Sequence, residues 1–494
     1  MYLLGYDLGS SSVKAAIVDA QTGQTIGIAS YPETEMKIIA EKTGWAEQSP
    51  DDWWKCVGMV TKKLLKQTAV DVKEIKAIGI AYQMHGLVLV DKDKQVLRPA
   101  IIWCDSRAVE IGQEAFESIG SEYCLSHYLN SPGNFTASKL KWVKENEPAI
   151  FEQVDKMMLP GDFIAMKMTD KIVTTVSGLS EGVLWDFKNH TLAKALLEDY
   201  GIPERLIPTV QDTFSPQGKL TEEAAAELDL PPGIPIAYRA GDQPNNALAL
   251  SVFQPNEVAA TGGTSGVVYG VVDNYLYDQQ SRVNGFAHVN HQKNDKRVGI
   301  LLCINGAGSQ YAWIKQKMAS ENTSYADMEK MIADIPVGCD GLRILPFGNG
   351  AERMLNNKNT GAHFINVQFN RHTQGHFYRA ALEGIAFSFV YGFEVMKHLG
   401  LHPKVIKVGN DNLFQSPVFS QTIANLMSCK IKVMDTTGAV GAAKGSGVGA
   451  GIYSSLATAF KENKIQALFE PAEKIGAYRA AYERWEQDVK RLLG

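Results

Sequence analysis

The sequence is poor in the features that mark secreted, membrane or nucleic-acid-binding proteins. It carries only six cysteines in 494 residues, and no two form a C-x-x-C pair. No zinc ribbon, redox pair or disulfide framework can be read from them. Scattered single thiols suit a reducing compartment, so a cytoplasmic location is expected. No apolar run approaches the ~18 residues of a membrane span. Met1–Leu8 reads as a strand and lacks the basic, then apolar, stretch of a signal peptide. Lys and Arg number 49 against 54 Asp and Glu, a net charge of −5. That balance supplies no basic field for nucleic acid or an anionic membrane, and neither partner is expected. No G-x-x-x-x-G-K-[ST] segment occurs, which argues against a P-loop nucleotide site.

What is present is an ordinary globular balance, 45% apolar and 21% charged, which argues against disorder. At roughly 150 residues per domain the length suggests three domains, or two large α/β ones. Tyr2–Asp7, Val13–Asp19 and Thr25–Tyr31 read as strands joined by short turns, an antiparallel meander. Ser49 is placed to cap a helix opening at Pro50, with Asp51 and Asp52 at its positive end. Ile75–Ala81 reads as a buried strand. Pro235–Ala240 reads as another strand, leading through Gly241-Asp242 to a helix from Asn246 to about Val252. Val258–Thr261, the turn 262–266 and Val267–Val272 then repeat the layout of the N-terminus. Two similar starts imply two related α/β domains around a central cleft, 1–250 and 251–494. The last 40 residues read as a solvated closing helix. The glycine-rich stretch Gly445–Gly451 is a degenerate dinucleotide fingerprint. It follows helical Ala439–Lys444 rather than a strand, so it reads as small residues on a packed helix.

Two turns can hold phosphate. Gly9, Ser10 and Ser11 offer backbone N–H groups and hydroxyls, and Lys14 adds a charge. Gly263 and Thr264 lie in the equivalent turn of the second half and offer donors without a cation. Asp7 ends a strand beside the first turn and suits a hard cation such as Mg²⁺. Asp242 stands at a strand–helix junction, where a carboxylate serves as a helix cap or as a general base. Phosphoryl transfer needs phosphate oxygens held, a metal and a base for the acceptor's proton. These residues supply one of each. His288-x-x-His291 and His372-x₃-His376 read as chance spacings.

In order and spacing these motifs resemble the FGGY carbohydrate kinases, over nearly the whole chain. Tyr6-Asp7-Leu8-Gly9 with Lys14 resembles the family's first phosphate loop. Thr136-x-x-Lys139-Leu140-x-Trp142-Val143-x-Glu145-Asn146 resembles its N-terminal signature. Gly241-Asp242 resembles the segment carrying the catalytic base, and Gly263–Gly266 the second phosphate loop. His376-Phe377-x-x-Ala380-Ala381-Leu382-Glu383-Gly384 resembles the C-terminal signature. The resemblance implies two RNase H-like domains of the actin/hexokinase type, with ATP and Mg²⁺ between them. It places Asp7 and Asp242 at the metal, and Gly306, Gly308, Gly409, Asn410 and Asn412 around the adenine. Within the family, Gln83-Met84-His85-Gly86 is similar to the xylulose kinases, as are the segments around Trp45 and around Trp103 and Asp105. The resemblance therefore implies a D-xylulose pocket of Gln83, Met84, His85, Trp103, Asp105 and Asp242. A kinase for ribulose, fuculose or gluconate is the alternative within the family. A sugar sensor or actin-like ATPase is the alternative outside it. A homodimer is compatible with the resemblance. At the adenine site the family's usual Gly-Gly-Gly-Ala is replaced by Gly409-Asn410-Asp411-Asn412, which bears on nucleotide preference.

Overall fold

The computed structural model describes residues 1–494. The first half is built on a six-stranded sheet. Its strands are β1 (Tyr2–Leu8), β2 (Val13–Asp19), β3 (Thr25–Tyr31), β4 (Ile75–Tyr82), β5 (Phe214–Lys219) and β6 (Pro235–Gly241), in the order β5-β6-β4-β1-β2-β3. The first three form the expected meander, and β4 and β6 run parallel to β1. Helix α1 (Pro50–Thr68) covers one face with Trp53, Val57, Val60 and Leu64. It starts where its signals say: the Ser49 hydroxyl accepts from the Asp52 N–H, and Pro50 needs no donor in the first turn. Three further helices of this half bear on the site. They are α2 (Thr136–Asn146), α3 (Val176–Glu181) and α4 (Asp242–Ala249). Helix α4 begins four residues before the expected Asn246, because Pro244 fits a first helical turn.

The second sheet repeats the plan. Its strands are β7 (Val258–Gly262), β8 (Gly266–Val272), β9 (Asn284–Ala287), β10 (Val298–Ile304), β11 (Val405–Gly409), β12 (Lys430–Met434) and β13 (Ile465–Phe469), in the order β9-β10-β8-β7-β11-β12-β13. Here β7-β8-β10 is the antiparallel meander, β11 and β12 are the parallel strands, and β13 is the antiparallel edge. Each sheet has its own large apolar core. Helices α5 (Ala307–Met318), α6 (Tyr325–Met331) and α7 (Pro417–Met427) flank the second sheet.

Helix α8 (Gly438–Gly449) departs from the division by sequence. It comes from the second half, yet it lies on the strands of the first sheet. Its small residues let backbone meet backbone. A Cβ on Gly5 would stand 2.0 Å from the Ala439 carbonyl oxygen, and one on Gly79 would stand 2.0 Å from that of Ala442. The reading of the glycine-rich stretch as packed helix is therefore borne out. The reading of the last 40 residues is corrected. They contain strand β13 before helix α9 (Gly476–Leu493), whose Ala481, Trp485 and Val489 are buried. The Trp485 indole N–H donates to the Ile344 carbonyl at 2.9 Å, so this helix is docked rather than solvated.

Candidate active site

Strands β1, β4 and β6 are parallel and end together. The ladder sets Asp7 opposite Ala81, and Gly241 opposite Tyr82. Asp7, the Gln83–His85 turn and Asp242 therefore emerge side by side at the carboxyl edge, where open parallel sheets hold their ligands. Asp7 and Asp242 are both half-buried. Burial pushes the Asp242 carboxyl up to about 7, and the charge of Asp7 adds to the shift. Burial also raises Asp7, against the pull of Lys14, its partner across the β1–β2 hairpin. The Gly9 N–H donates to the Ser12 carbonyl at 3.0 Å and closes the turn. The Ser10 carbonyl accepts from the Gln48 side chain at 2.7 Å.

The turn beside Asp242 carries three of the residues expected around the sugar, Gln83, Met84 and His85. Gln83 is buried, and its amide donates to the Gln48 side chain at 3.1 Å. Met84 is buried against Gly241. His85 adopts φ 61, the left-handed region that few side chains enter. Its ring lies 4.9 Å from that of Phe135 and 5.4 Å from that of Phe286 on β9. The ring Nδ1 lies 2.8 Å from the Glu181 carbonyl. A carbonyl accepts only, so Nδ1 carries the proton and Nε2 is left as an acceptor. Burial, and then the Lys139 ammonium, hold the imidazole down to about 3, which keeps it neutral. Lys139 itself is buried and pushed down to about 7. It donates to the His85 carbonyl at 2.9 Å and to the Ile102 carbonyl at 3.0 Å, bracing the turn from helix α2.

Two expected sugar contacts are placed differently. Trp103 is exposed, with its indole N–H 3.5 Å from the Ser10 hydroxyl, at the rim. Asp105 is fully buried and occupied. It accepts from the Ala46 N–H at 2.6 Å and pairs with the Arg107 guanidinium at 2.7 Å. Its role here is to anchor the loop, because no free oxygen faces the cleft. Glu181 is the residue that sequence reasoning missed. It is fully buried at the end of helix α3, and its carboxyl is raised well above the usual range by burial and by Asp242. A carboxylate at the end of a short helix is ordinarily solvated, so nothing in the local pattern marked it.

Across the cleft, a cavity of about 830 Å³ opens at the β7–β8 turn. Gly263, Thr264, Gly308 and Asn412 line it, as expected of the nucleotide site. The Gly308 N–H donates to the Gly263 carbonyl and the Ser309 N–H to the Thr264 carbonyl, both at 3.0 Å, fastening the turn to the start of α5. Gly306 is not on the wall. It lies behind, donating to the Glu352 carboxylate at 3.0 Å. Gly409 and Asn410 also stand back, with the Asn410 N–H bonded to the Met434 carbonyl at 3.1 Å. The walls that sequence reasoning missed are Tyr311 and Tyr325, stacked at 5.5 Å, and Glu329, which accepts from the Ser416 hydroxyl at 2.9 Å. Tyr311 sits one helical turn beyond Gly308 and was findable by that spacing; Tyr325 and Glu329 carry no such signal.

The two sides are joined by charge. Asp411 is raised by burial and pulled back by Lys14 of the opposite lobe. Asn412 follows it and reaches the β7–β8 turn, its amide 3.8 Å from the position of a Cβ on Gly263. The first hairpin and Asp242 thus form one side of the candidate site and the β7–β8 turn the other, linked by the Lys14–Asp411 charge pair. The site's donor set fits a divalent cation. Asp7 and Asp242 offer hard oxygens, and Mg²⁺ on a nucleotide is ordinarily held by one or two carboxylates together with phosphate oxygens. His288 plays no part, as both ring nitrogens are taken, by the Tyr269 hydroxyl at 3.0 Å and the Val252 carbonyl at 3.1 Å.

Comparison with known proteins gives a consistent result. The N-terminal domain of the FGGY family of carbohydrate kinases matches residues 2–249, and its C-terminal domain matches residues 258–449. The xylulose kinase of Bacillus subtilis is 28% identical over 500 residues, covering 98% of this chain and 96% of the relative. That of Escherichia coli is 26% identical over 502 residues, covering 100% and 99%. The crystal structure of xylulose kinase from Rhodospirillum rubrum superposes with a TM-score of 0.88 at 25% identity, covering 100% of this chain and 98% of that one.

Proposed function

Because the chain belongs to the FGGY family of carbohydrate kinases, we propose that it phosphorylates D-xylulose at the C5 hydroxyl with ATP as donor. The observation that carries this reading is the shared edge of β1, β4 and β6, which sets Asp242, with its carboxyl pushed up to about 7, beside the Gln83-Met84-His85 turn. The xylulose kinases among its relatives support the choice of sugar.

In this reading the acceptor lies against Met84 and the neutral His85, whose free Nε2 accepts from a sugar hydroxyl. Asp242 takes the proton of the C5 hydroxyl as its oxygen attacks the γ-phosphorus. The bond from phosphorus to the β–γ bridging oxygen breaks, and ADP leaves. A carboxyl with a raised pKa is a stronger base, and near 7 it is about half ionised at neutral pH. The turns at Gly9–Ser11 and Gly263–Thr264, with Lys14, hold the phosphate oxygens from the two lobes. Asp7 and Asp242 would hold Mg²⁺, which when bound offsets charge on the β- and γ-phosphates. The first half, 1–250, then carries the sugar and the base, and the second, 251–494, carries most of the nucleotide site. The test is ADP release measured with a panel of ketoses, aldonates and polyols. Ketopentose-dependent release with xylulose preferred is expected; release that ignores sugar, or that follows another acceptor, overturns the assignment.

A further inference from the structure

Glu181 touches two of the segments that form the acceptor site, the Gln83–His85 turn and the end of β6. Its main-chain oxygen accepts from His85 Nδ1 at 2.8 Å, while its side-chain Oε1 accepts from the His85 backbone N–H at 3.4 Å. One residue therefore grips His85 at both its ring and its main chain. This matters because His85 sits at φ 61, a conformation that persists in a non-glycine residue only when its surroundings over-determine it. The other oxygen, Oε2, is buried with no hydrogen-bond partner. It presses on the residue before the base: a Cβ on Gly241 would stand 2.2 Å from Oε2 and 2.6 Å from Met84 Cγ. The carboxyl is thus wedged between the turn that meets the sugar and the strand end that presents Asp242.

The helix carrying Glu181 is itself pinned. The Thr175 hydroxyl caps it by accepting from the Gly178 N–H at 3.0 Å. The Ser177 hydroxyl donates to the Ala287 carbonyl, and the Ser180 hydroxyl accepts from the Ala287 N–H, both at 2.9 Å. Ala287 belongs to β9, the edge strand of the second sheet that also brings Phe286 against His85. The wedge is consequently fixed from the nucleotide lobe while it acts on the sugar pocket.

We propose that Glu181 is a positioning residue, which holds His85 and Met84 in register with Asp242 and so sets affinity for the sugar. The proposal rests on the reading of the site given above. A residue that only filled core volume would have the same burial but would show no preference between side chains of equal size.

The test compares E181Q, which keeps the volume and the acceptor oxygen, with E181M, which keeps the volume alone. Steady-state kinetics should show E181M with KM for the ketose raised about tenfold, the scale of one lost buried hydrogen bond. Its KM for ATP should stay within about twofold, and E181Q should stay within about threefold of wild type throughout. A crystal structure of E181M should show His85 relaxed out of the left-handed region. Unchanged ketose KM in E181M, equal shifts in both KM values, E181Q as impaired as E181M, or His85 retained near φ 60 each overturns the proposal. The backbone readout needs no substrate. A wild-type chain that turns over no ketose therefore defeats the proposed function alone, while the conformation of His85 still decides the role of Glu181.

Discussion

Asp242 shows what a single side chain contributes and what it costs. Its carboxyl is raised to about 7 by burial and by Asp7. Below both its unfolded value and this one it is neutral in either state, so folding incurs no penalty. The penalty grows as pH rises from about 4 and is complete above about 7. Activity runs the other way, since only the ionised form accepts a proton. The kcat/KM for the sugar should therefore climb with pH up to about 7 and level off beyond it. Asp242→Asn should lower kcat by about 10²–10⁴. It should also raise the melting temperature at pH 8 by about 2 °C or more and leave it unchanged at pH 4. Thermal unfolding read beside initial rates checks both, and a folded Asn variant with ordinary turnover would remove the carboxyl from the chemistry. The placement of Asp7 and Asp242 at strand ends was legible in the sequence because the apolar runs before them are plain, whereas Met84 and His85 were singled out by the resemblance alone. Glu181 was not legible, since its environment is made by three segments far apart in the chain. Asp105 misled because its flanking residues match a sugar-binding family, while its own oxygens are consumed by Arg107 and Ala46.

Secondary structure was legible where apolar runs alternate with turn residues, and less so at helix ends. Strands β1–β4 and β6–β8 follow the expected boundaries to within a residue or so. Helix α4 starts early because a proline suits a first turn as well as a loop. The docked face of α9 was hidden in a polar sequence, where Ala481, Trp485 and Val489 recur at near-helical spacing among charged neighbours. Helix α8 packs closely on the β1–β4 pair, and at Gly5 and Gly79 the contact leaves no room for a side chain. Gly79→Ala should force the helix off the sheet, because the added methyl would meet the Ala442 carbonyl at 2.0 Å. The expected loss is ~3 kcal/mol, seen as a lower denaturant midpoint. An unaltered midpoint would mean that the two elements slide freely.

At the scale of the whole molecule, two lobes of one plan face each other with unequal equipment. The first hairpin has Lys14; the second has no cation of its own, and the cavity wall beside it carries Lys330, Asn412 and Gln415. Lys14 also answers Asp7 on its own lobe and Asp411 on the other. Removing it should leave three carboxyl groups facing a triphosphate without that cation. Lys14→Met should raise KM for ATP about tenfold or more, with a much smaller change for the sugar, as read by steady-state kinetics with each substrate varied. The duplication was legible from the two matching turn motifs. The return of α8 to the first sheet was not, because small residues mark close packing without naming the surface they pack on.

That return imposes an order of events on synthesis. A ribosome finishes every strand of the N-terminal sheet by residue 241, but residues 438–449, which roof one side of it, emerge some two hundred residues later. Through that interval the nascent lobe must carry a bare apolar face, sheltered by a chaperone or by loose collapse. A chain interrupted in between would strand a half-covered sheet rather than release a working sugar-binding half.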